Sequence, residues 1–147
     1  MPVDSRETVT VLILPTISLW TPLRFLLHAH LIFTPKYRRR VFDRVHIEAM
    51  REMFPRVCER FHVELAEFNG EADHVHLLVT FPPSVELSKL VNSLKGVSSR
   101  LLRKQFPEIE KRYWKNVLWS RSYFAASCGG APLEIIRQYV EQQKTPD

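Results

Sequence analysis

The stretch DHVHLLVTF, residues 73–81, decides the fold of this chain because its pattern is that of a β-strand with two chemically different faces. Successive side chains of a strand point to opposite faces of the sheet. The apolar residues at odd positions from Val75 to Phe81 therefore share one face, which the pattern assigns to the core. His74 and His76 point together to the other face.

The two histidines raise the question of a metal site. Imidazole is the commonest metal ligand near neutral pH, and the ring nitrogens of two residues on one strand face can converge on one point. The pair would be half of a divalent-metal site. His28 and His30 repeat the same spacing in LHAHL. On spacing alone, either pair could be ligands, support the other pair, or simply be polar residues on an exposed face.

Hydrophobic periodicity predicts the remaining elements on either side of this strand. Asn69-Gly70 is a turn signal that suggests a hairpin with the preceding strand. Pro55 should kink or divide the first helix, and Ser84 is a plausible N-cap of the second. The predicted strands are 26–33, 62–69, 73–81 and 117–127, and the predicted helices are 43–61, 84–105 and 132–143.

The order of the first six elements predicts an α+β fold of the ferredoxin-like type. A β-α-β-β-α-β order gives one antiparallel sheet with two helices on one face. The other face stays free for a ligand or a partner chain. A C-terminal helix follows the sixth element, and Pro132 suits its first turn.

Composition favours one basic domain. The chain has 147 residues, 45% of them hydrophobic, and a formal net charge of +5, which favours a polyanionic partner such as nucleic acid. No apolar run is long enough for a transmembrane helix. Cys58 and Cys128 match no metal or disulfide pattern, so we expect reduced thiols in a cytoplasmic protein. Residues 1–26 differ in character from the rest and are predicted to be an atypical N-terminal extension, irregular or an edge strand.

Five ordered segments carry a family resemblance that covers 27–147. They are HLIFTPKYRRRVF, DHVHLLVTFPP, LVNSLKGVSSRLLRKQFP, LWSRSYFAASCGG and IIRQYVEQQ. Together they resemble the single-tyrosine HUH transposases of insertion-sequence family 200/605. The resemblance implies that 27–147 is one transposase domain that cleaves and rejoins single-stranded DNA at hairpin-bearing element ends. It also implies a homodimer in which two subunits build each composite active site.

The resemblance assigns roles to four residues. His74 and His76 match the metal-binding histidines, Tyr139 the nucleophile, and Gln143 a residue that can complete the site around Mg²⁺ or Mn²⁺. Residues four apart share a helix face, so Tyr139 and Gln143 could approach one centre. Attack by the tyrosine oxygen would give a 5′-phosphotyrosine and a free 3′-hydroxyl. The resemblance assigns no role to His28 and His30.

Clustered cations with interleaved aromatic residues predict a surface for single-stranded nucleic acid. Such surfaces pair with phosphates and stack on bases. For any one of these residues, a solvated helix face or a core aromatic is an equally good interpretation. The predicted nucleic-acid-binding residues are Lys36, Arg38, Arg39, Arg40, Lys95, Arg100, Arg103, Lys104, Trp119 and Arg121.

Two alternatives to a transposase remain from the sequence. One is a degenerate copy that binds nucleic acid without catalysis, which the unusual N-terminal segment and Pro55 would fit. The other is a metal-dependent phosphoesterase that uses water and not Tyr139. Formation of a covalent protein–DNA adduct separates the three hypotheses.

Overall fold

A computed structural model describes residues 9–10 and 26–129 of the chain, with the side chains of 26–126. Within this part, the strands are β1 (Val9–Thr10), β2 (Leu27–Pro35), β3 (Glu64–Glu71), β4 (His74–Phe81) and β5 (Trp119–Gly129). The helices are α1 (Arg44–Arg60), α2 (Leu87–Gln105) and the single turn α3 (Pro107–Glu110). A 3-10 turn, Lys36–Arg38, follows β2.

The five strands form one sheet in the order β1-β5-β2-β4-β3. The four long strands are antiparallel to their neighbours, and with α1 and α2 they make the predicted ferredoxin-like arrangement. The predicted α+β fold is therefore confirmed. Val9 and Thr10 pair in parallel with Tyr123 and Phe124, so two residues of the N-terminal segment add an edge strand.

The hydrophobic core lies between the sheet and the two long helices. Val75, Leu77 and Val79 are completely buried there, as the alternation in β4 predicts. From α2, Leu90 and Leu94 are also completely buried. Full burial of one such side chain is worth roughly 2 kcal/mol. This packing holds the sheet rigid, so the side chains on its opposite face keep a fixed spacing.

The hairpin between β3 and β4 turns at Ala72–Asp73, and the prediction of a turn at Asn69-Gly70 is wrong. Gly70 lies inside β3 and pairs with Val75. A Cβ atom at Gly70 would collide with the Ile47 side chain of α1. The glycine thus allows a close helix–sheet approach, a use of glycine that has the same sequence signal as a turn.

Of the two outcomes expected at Pro55, a kink or a division of the first helix, the structure excludes the division, and the predicted N-cap of the second helix is wrong. Helix α1 runs without a break from Arg44 to Arg60 although Pro55 lies inside it. Pro55 is on the exposed side of the helix, where water can satisfy the carbonyl group that proline leaves without a donor. Helix α2 has Glu86 at its N-cap position, not Ser84, because 82–85 form a separate turn closed by Val85 N–H donating to Pro82 O.

Three further predictions concern other parts of the chain. Cys58 is a buried free thiol, as expected, and burial raises its pKa to about 12. Among the described residues, no helix is both long and apolar enough to cross a membrane. The predicted C-terminal helix, 132–143, and the Cys128 side chain lie outside the described residues.

Candidate functional site

His74 and His76 lie at the start of β4, immediately after the hairpin turn. They project from the face opposite the helices, since the residues between and after them are in the core. His74 Nε2 and His76 Nε2 are 3.1 Å apart. The rigid pleat of the strand fixes this convergence, which the alternation predicts from the sequence.

Asp73 supports the histidine pair from the hairpin turn. Its Oδ1 lies 2.8 Å from His74 Nδ1 and accepts the Nδ1–H. A neutral His74 held in this way keeps the lone pair of Nε2 available on the side of His76. Arg38 of the 3-10 turn approaches the second carboxylate oxygen of Asp73 at 3.9 Å. A chain of contacts thus runs from the basic turn to the histidines.

His30 of the adjacent strand β2 stands behind His76. Its Nε2 is 3.2 Å from His76 Nδ1, and its side chain is only 1% exposed. His28 lies on the same face but contacts Thr80 Oγ1 at 2.8 Å. The two histidine pairs therefore share one face of the sheet, but His28 and His30 differ in what they contact.

The environment favours the neutral forms of His30 and His76. Burial, followed by the nearby His74, lowers the pKa of His76, and Glu71 partly opposes this effect. Burial and then His76 lower the pKa of His30 to about 4. The hydrogen bond from His74 is the main cause that lowers the pKa of Asp73. At neutral pH the cluster therefore contains the Asp73 carboxylate and the uncharged rings of His30 and His76.

The two Nε2 atoms have the spacing expected of ligands to one metal ion. Two nitrogens bound to a divalent ion at about 2.1 Å and at nearly right angles lie roughly 3 Å apart. The acceptor on His74 Nδ1 is the kind of outer partner that metal-binding histidines usually have. Within 26–126, however, no group of three or more His, Cys, Asp or Glu side chains is arranged to hold a metal. The described residues thus bring two candidate metal ligands together.

A basic and aromatic surface adjoins the histidine site. Arg39 lies over the rings of Tyr37 and Tyr113 at 5.2 and 5.5 Å and donates to Arg112 O. It therefore links the 3-10 turn to the 111–116 loop. Tyr37 and Trp114 are 70% and 84% exposed, so most of each side chain is accessible to solvent. Both stand among cations in the sequence, in the pattern of interleaved aromatic residues that predicts a surface for single-stranded nucleic acid.

The predicted cations fall into two groups. Lys36 and Arg38–Arg40 are in or just after the 3-10 turn, and Arg38 and Arg40 both act electrostatically on Asp73. The others lie on α2 and β5. There Lys95 Nζ contacts Arg121 O, and Arg103 donates to Asn116 Oδ1. Arg100, Lys104 and Arg121 are exposed.

Trp119 does not fit its predicted role in this structure. It is 6% exposed, packs against Phe33 and Phe42, and donates from Nε1 to Ser98 Oγ at 2.9 Å. A ring enclosed on this scale has no face available for base stacking. The signal in the sequence was a tryptophan among cations, and it could not distinguish this core residue from the exposed Trp114.

Tyr139 and Gln143, the predicted nucleophile and additional ligand, lie outside the described residues. Their roles therefore remain predictions. His30 and Asp73 are the functional candidates that sequence reasoning did not assign. The signal for Asp73 was its position directly before the histidine motif, and the signal for His30 was the repeated spacing.

Comparison with known proteins gives consistent similarities. The family model described as "Transposase IS200 like" matches residues 24–143. The transposase for insertion sequence element IS200 of Salmonella typhimurium is 32% identical over 118 residues, which cover 80% of this chain and 77% of the relative. The ISDra2 transposase TnpA of Deinococcus radiodurans is 27% identical over 117 residues, covering 80% and 84%.

Solved structures share the fold. A Deinococcus radiodurans chain solved as a transposase has a TM-score of 0.67 and 26% identity, covering 88% of this chain and 100% of that one. A REP-associated tyrosine transposase bound to a REP hairpin has a TM-score of 0.58 over 78% of this chain and 62% of its own, with 14% identity. At that identity the second likeness concerns the fold alone. The family match spans most of the chain and includes the histidine motif, and the chain belongs to the IS200-like transposases.

Proposed function

We propose that this transposase cleaves and rejoins single-stranded DNA at insertion-sequence ends through a 5′-phosphotyrosine on Tyr139, with a divalent metal held by His74 and His76. The observation that carries the proposal is the 3.1 Å convergence of the two Nε2 atoms in a chain of this family. Gln143 would complete the metal site, and Mg²⁺ or Mn²⁺ is the ion we expect.

The chain's own residues would prepare the site for this chemistry. Asp73 accepts the Nδ1–H of His74, so the Nε2 lone pair stays directed at the centre. Burial lowers the pKa of His76 and so favours the uncharged ring, which is the form that can bind a metal. When bound, a divalent ion would polarise the scissile phosphate and offset the charge that develops on its oxygens.

The covalent step must conserve the energy of the phosphodiester bond, so the nucleophile has to stay bonded to phosphorus. The Tyr139 oxygen would attack phosphorus, form a Tyr–O–P bond and break the bond to the 3′ oxygen, which leaves as a hydroxyl after gaining a proton. A second 3′-hydroxyl can then attack the phosphotyrosine and release Tyr139. Because one phosphodiester replaces another, no external energy source is required.

The proposed DNA path begins at the basic turn. Arg38 lies 3.9 Å from Asp73 and Arg40 also acts electrostatically on it, so a phosphate that pairs with these two cations would be close to the histidines. Exposed Tyr37 and Trp114 would stack on unpaired bases. A hairpin substrate is supported by the hairpin-bound tyrosine transposase that shares this fold.

A homodimer with composite active sites is part of the proposal. The described residues of one chain bring two histidines together but no third His, Cys, Asp or Glu to hold a metal. Any further protein ligands and the nucleophile would come from outside the described residues, on the same chain or on a second subunit, and waters or substrate oxygens would fill the other positions. Mixing two inactive variants, His76→Ala and Tyr139→Phe, should restore cleavage if the sites are shared between subunits.

Tyr139→Phe is the decisive test of the mechanism. It removes one oxygen and almost no volume, so the variant should bind a hairpin-bearing single strand and Mn²⁺ normally. The wild type should form a protein–DNA adduct stable to detergent and heat, and mass spectrometry should locate the nucleotide on the peptide containing IIRQYVEQQ. The variant should form none.

The phosphoesterase and the non-catalytic binding protein predict different results in the same experiment. Cleavage by Tyr139→Phe at the wild-type rate would mean that water is the nucleophile and would support a phosphoesterase. Hairpin binding without an adduct or cleavage from either protein would support the non-catalytic binding protein.

A further inference from the structure

The contact between His30 and His76 joins two strands through ring nitrogens. His30 Nε2 and His76 Nδ1 are 3.2 Å apart, and the two rings lie within 22° of parallel. Phe124 packs edge-on against His30 from the neighbouring strand β5. His30 is buried, so its ring has little freedom to turn away from His76.

This contact couples the proton positions of the two rings. A neutral imidazole carries one proton, on Nδ1 or on Nε2. If His30 donates from Nε2, His76 must carry its own proton on Nε2, the nitrogen that faces His74. If His76 donates from Nδ1, its Nε2 is a free lone pair and His30 must carry its proton on Nδ1.

Only the second arrangement allows His76 to bind a metal through Nε2. The second arrangement has an energetic cost at His30. It puts a proton on His30 Nδ1, which is buried and has no hydrogen-bond partner among the described residues. The first arrangement leaves that nitrogen without a proton, which is cheaper. The His30–His76 pair therefore has two possible proton arrangements. In the first, the proton on His76 Nε2 prevents metal binding through that atom, and in the second His76 Nε2 can bind a metal ion.

We propose that His30 is a positioning residue that accepts the Nδ1–H of His76 and so sets its tautomer for metal binding through Nε2. The inference rests on the proposed function, since it concerns the same metal. It gives the second histidine pair a divided role. His30 acts through His76, whereas His28, directed to Thr80, does not take part.

Mn²⁺ binding to the full-length protein, measured by the loss of the free-ion signal in electron paramagnetic resonance, tests the inference without any activity assay. His30→Leu removes the acceptor and should weaken binding about 10- to 100-fold, the range found for outer partners of metal ligands. His30→Gln places an amide oxygen near the former Nε2 and should restore affinity to within about threefold of the wild type. His28→Leu, the matched control on the same strand face, should bind as the wild type does.

The tautomer can be read directly in the wild type, which guards against a His30→Leu variant that fails to fold. With Zn²⁺ as a diamagnetic probe, nitrogen-15 NMR should place the His76 proton on Nδ1. A proton on Nε2 would overturn the inference, as would wild-type affinity in a folded His30→Leu.

The failure of the proposed metal site has a different signature. If the wild type and His76→Ala bind Mn²⁺ equally poorly, the metal site itself is absent and both proposals fall. If His76→Ala loses binding while His30→Leu keeps it, the metal site stands and only the role of His30 is excluded.

Discussion

The two histidine pairs have the same spacing on neighbouring strands but different surroundings. His74 and His76 begin β4, where Asp73 supports one ring and both Nε2 atoms converge. His28 and His30 lie in β2 and diverge in their contacts, one to Thr80 and the other to His76. A shared strand face is thus not sufficient for a shared site.

The difference shows that the residues around each histidine, and not the spacing of the pair, determine its contacts and its pKa. The hairpin turn puts a carboxylate beside the first residue of one pair. The second residue of the other pair is enclosed, and its pKa falls to about 4 mainly through burial. The following predictions test whether this contrast has functional consequences.

Removing a converging histidine should give the largest effect. His74→Ala or His76→Ala should reduce cleavage of a single-stranded element end at least about 1,000-fold, because each removes one of the two nitrogens proposed to bind the metal. Hairpin binding in a gel-shift assay should be largely unchanged. His28→Ala is the matched control and should keep cleavage within about threefold. Comparable loss in the His28 variant would erase the distinction between the pairs.

The pH dependence of stability should single out His30. Its folded pKa of about 4 lies below the ordinary value of 6.5, so the unfolded chain binds more protons between these values. The stability contribution is present above pH 6.5 and is lost as the pH falls towards 4, by at most about 3 kcal/mol.

Denaturant unfolding in EDTA from pH 7 to 4 measures this contribution. The wild type should lose more stability over that range than His30→Leu. In the comparison with His28→Leu the difference should be smaller, because His28 is less buried and Glu64 opposes the lowering of its pKa. Parallel curves for the wild type and His30→Leu would contradict the burial of a neutral His30.

Changing the carboxylate partner should give the smallest effect. Asp73→Asn keeps an acceptor for His74 Nδ1–H but removes its negative charge, so Mn²⁺ affinity should fall about tenfold. Thr80→Val, which removes the partner of His28, should leave the affinity unchanged. Calorimetric titration of both variants compares the two supports directly, and equal values would show that Asp73 does not tune the site.

Some features could be read from the sequence because they depend on local periodicity. The alternation in β4 placed its apolar residues in the core and its histidines on the other face. The turn signal failed because Asn69-Gly70 has two uses. A glycine that leaves room for the Ile47 side chain cannot be distinguished by sequence from a glycine that forms a turn. The assignment of Trp119 to the nucleic-acid surface failed for the same reason, since Trp119 and Trp114 both stand among cations but only Trp114 is exposed.

The sequence by itself determined the order of elements, the faces of the strands, the family and the histidine motif. These follow from the two-residue period of strands, the 3.6-residue period of helices and contiguous motifs. Only the tertiary structure decided that His30 meets His76 and that Arg38 reaches Asp73. His30 and His76 are 46 positions apart along the chain. Strand order and register bring such residues within hydrogen-bonding distance, and both arise from packing of the whole sheet.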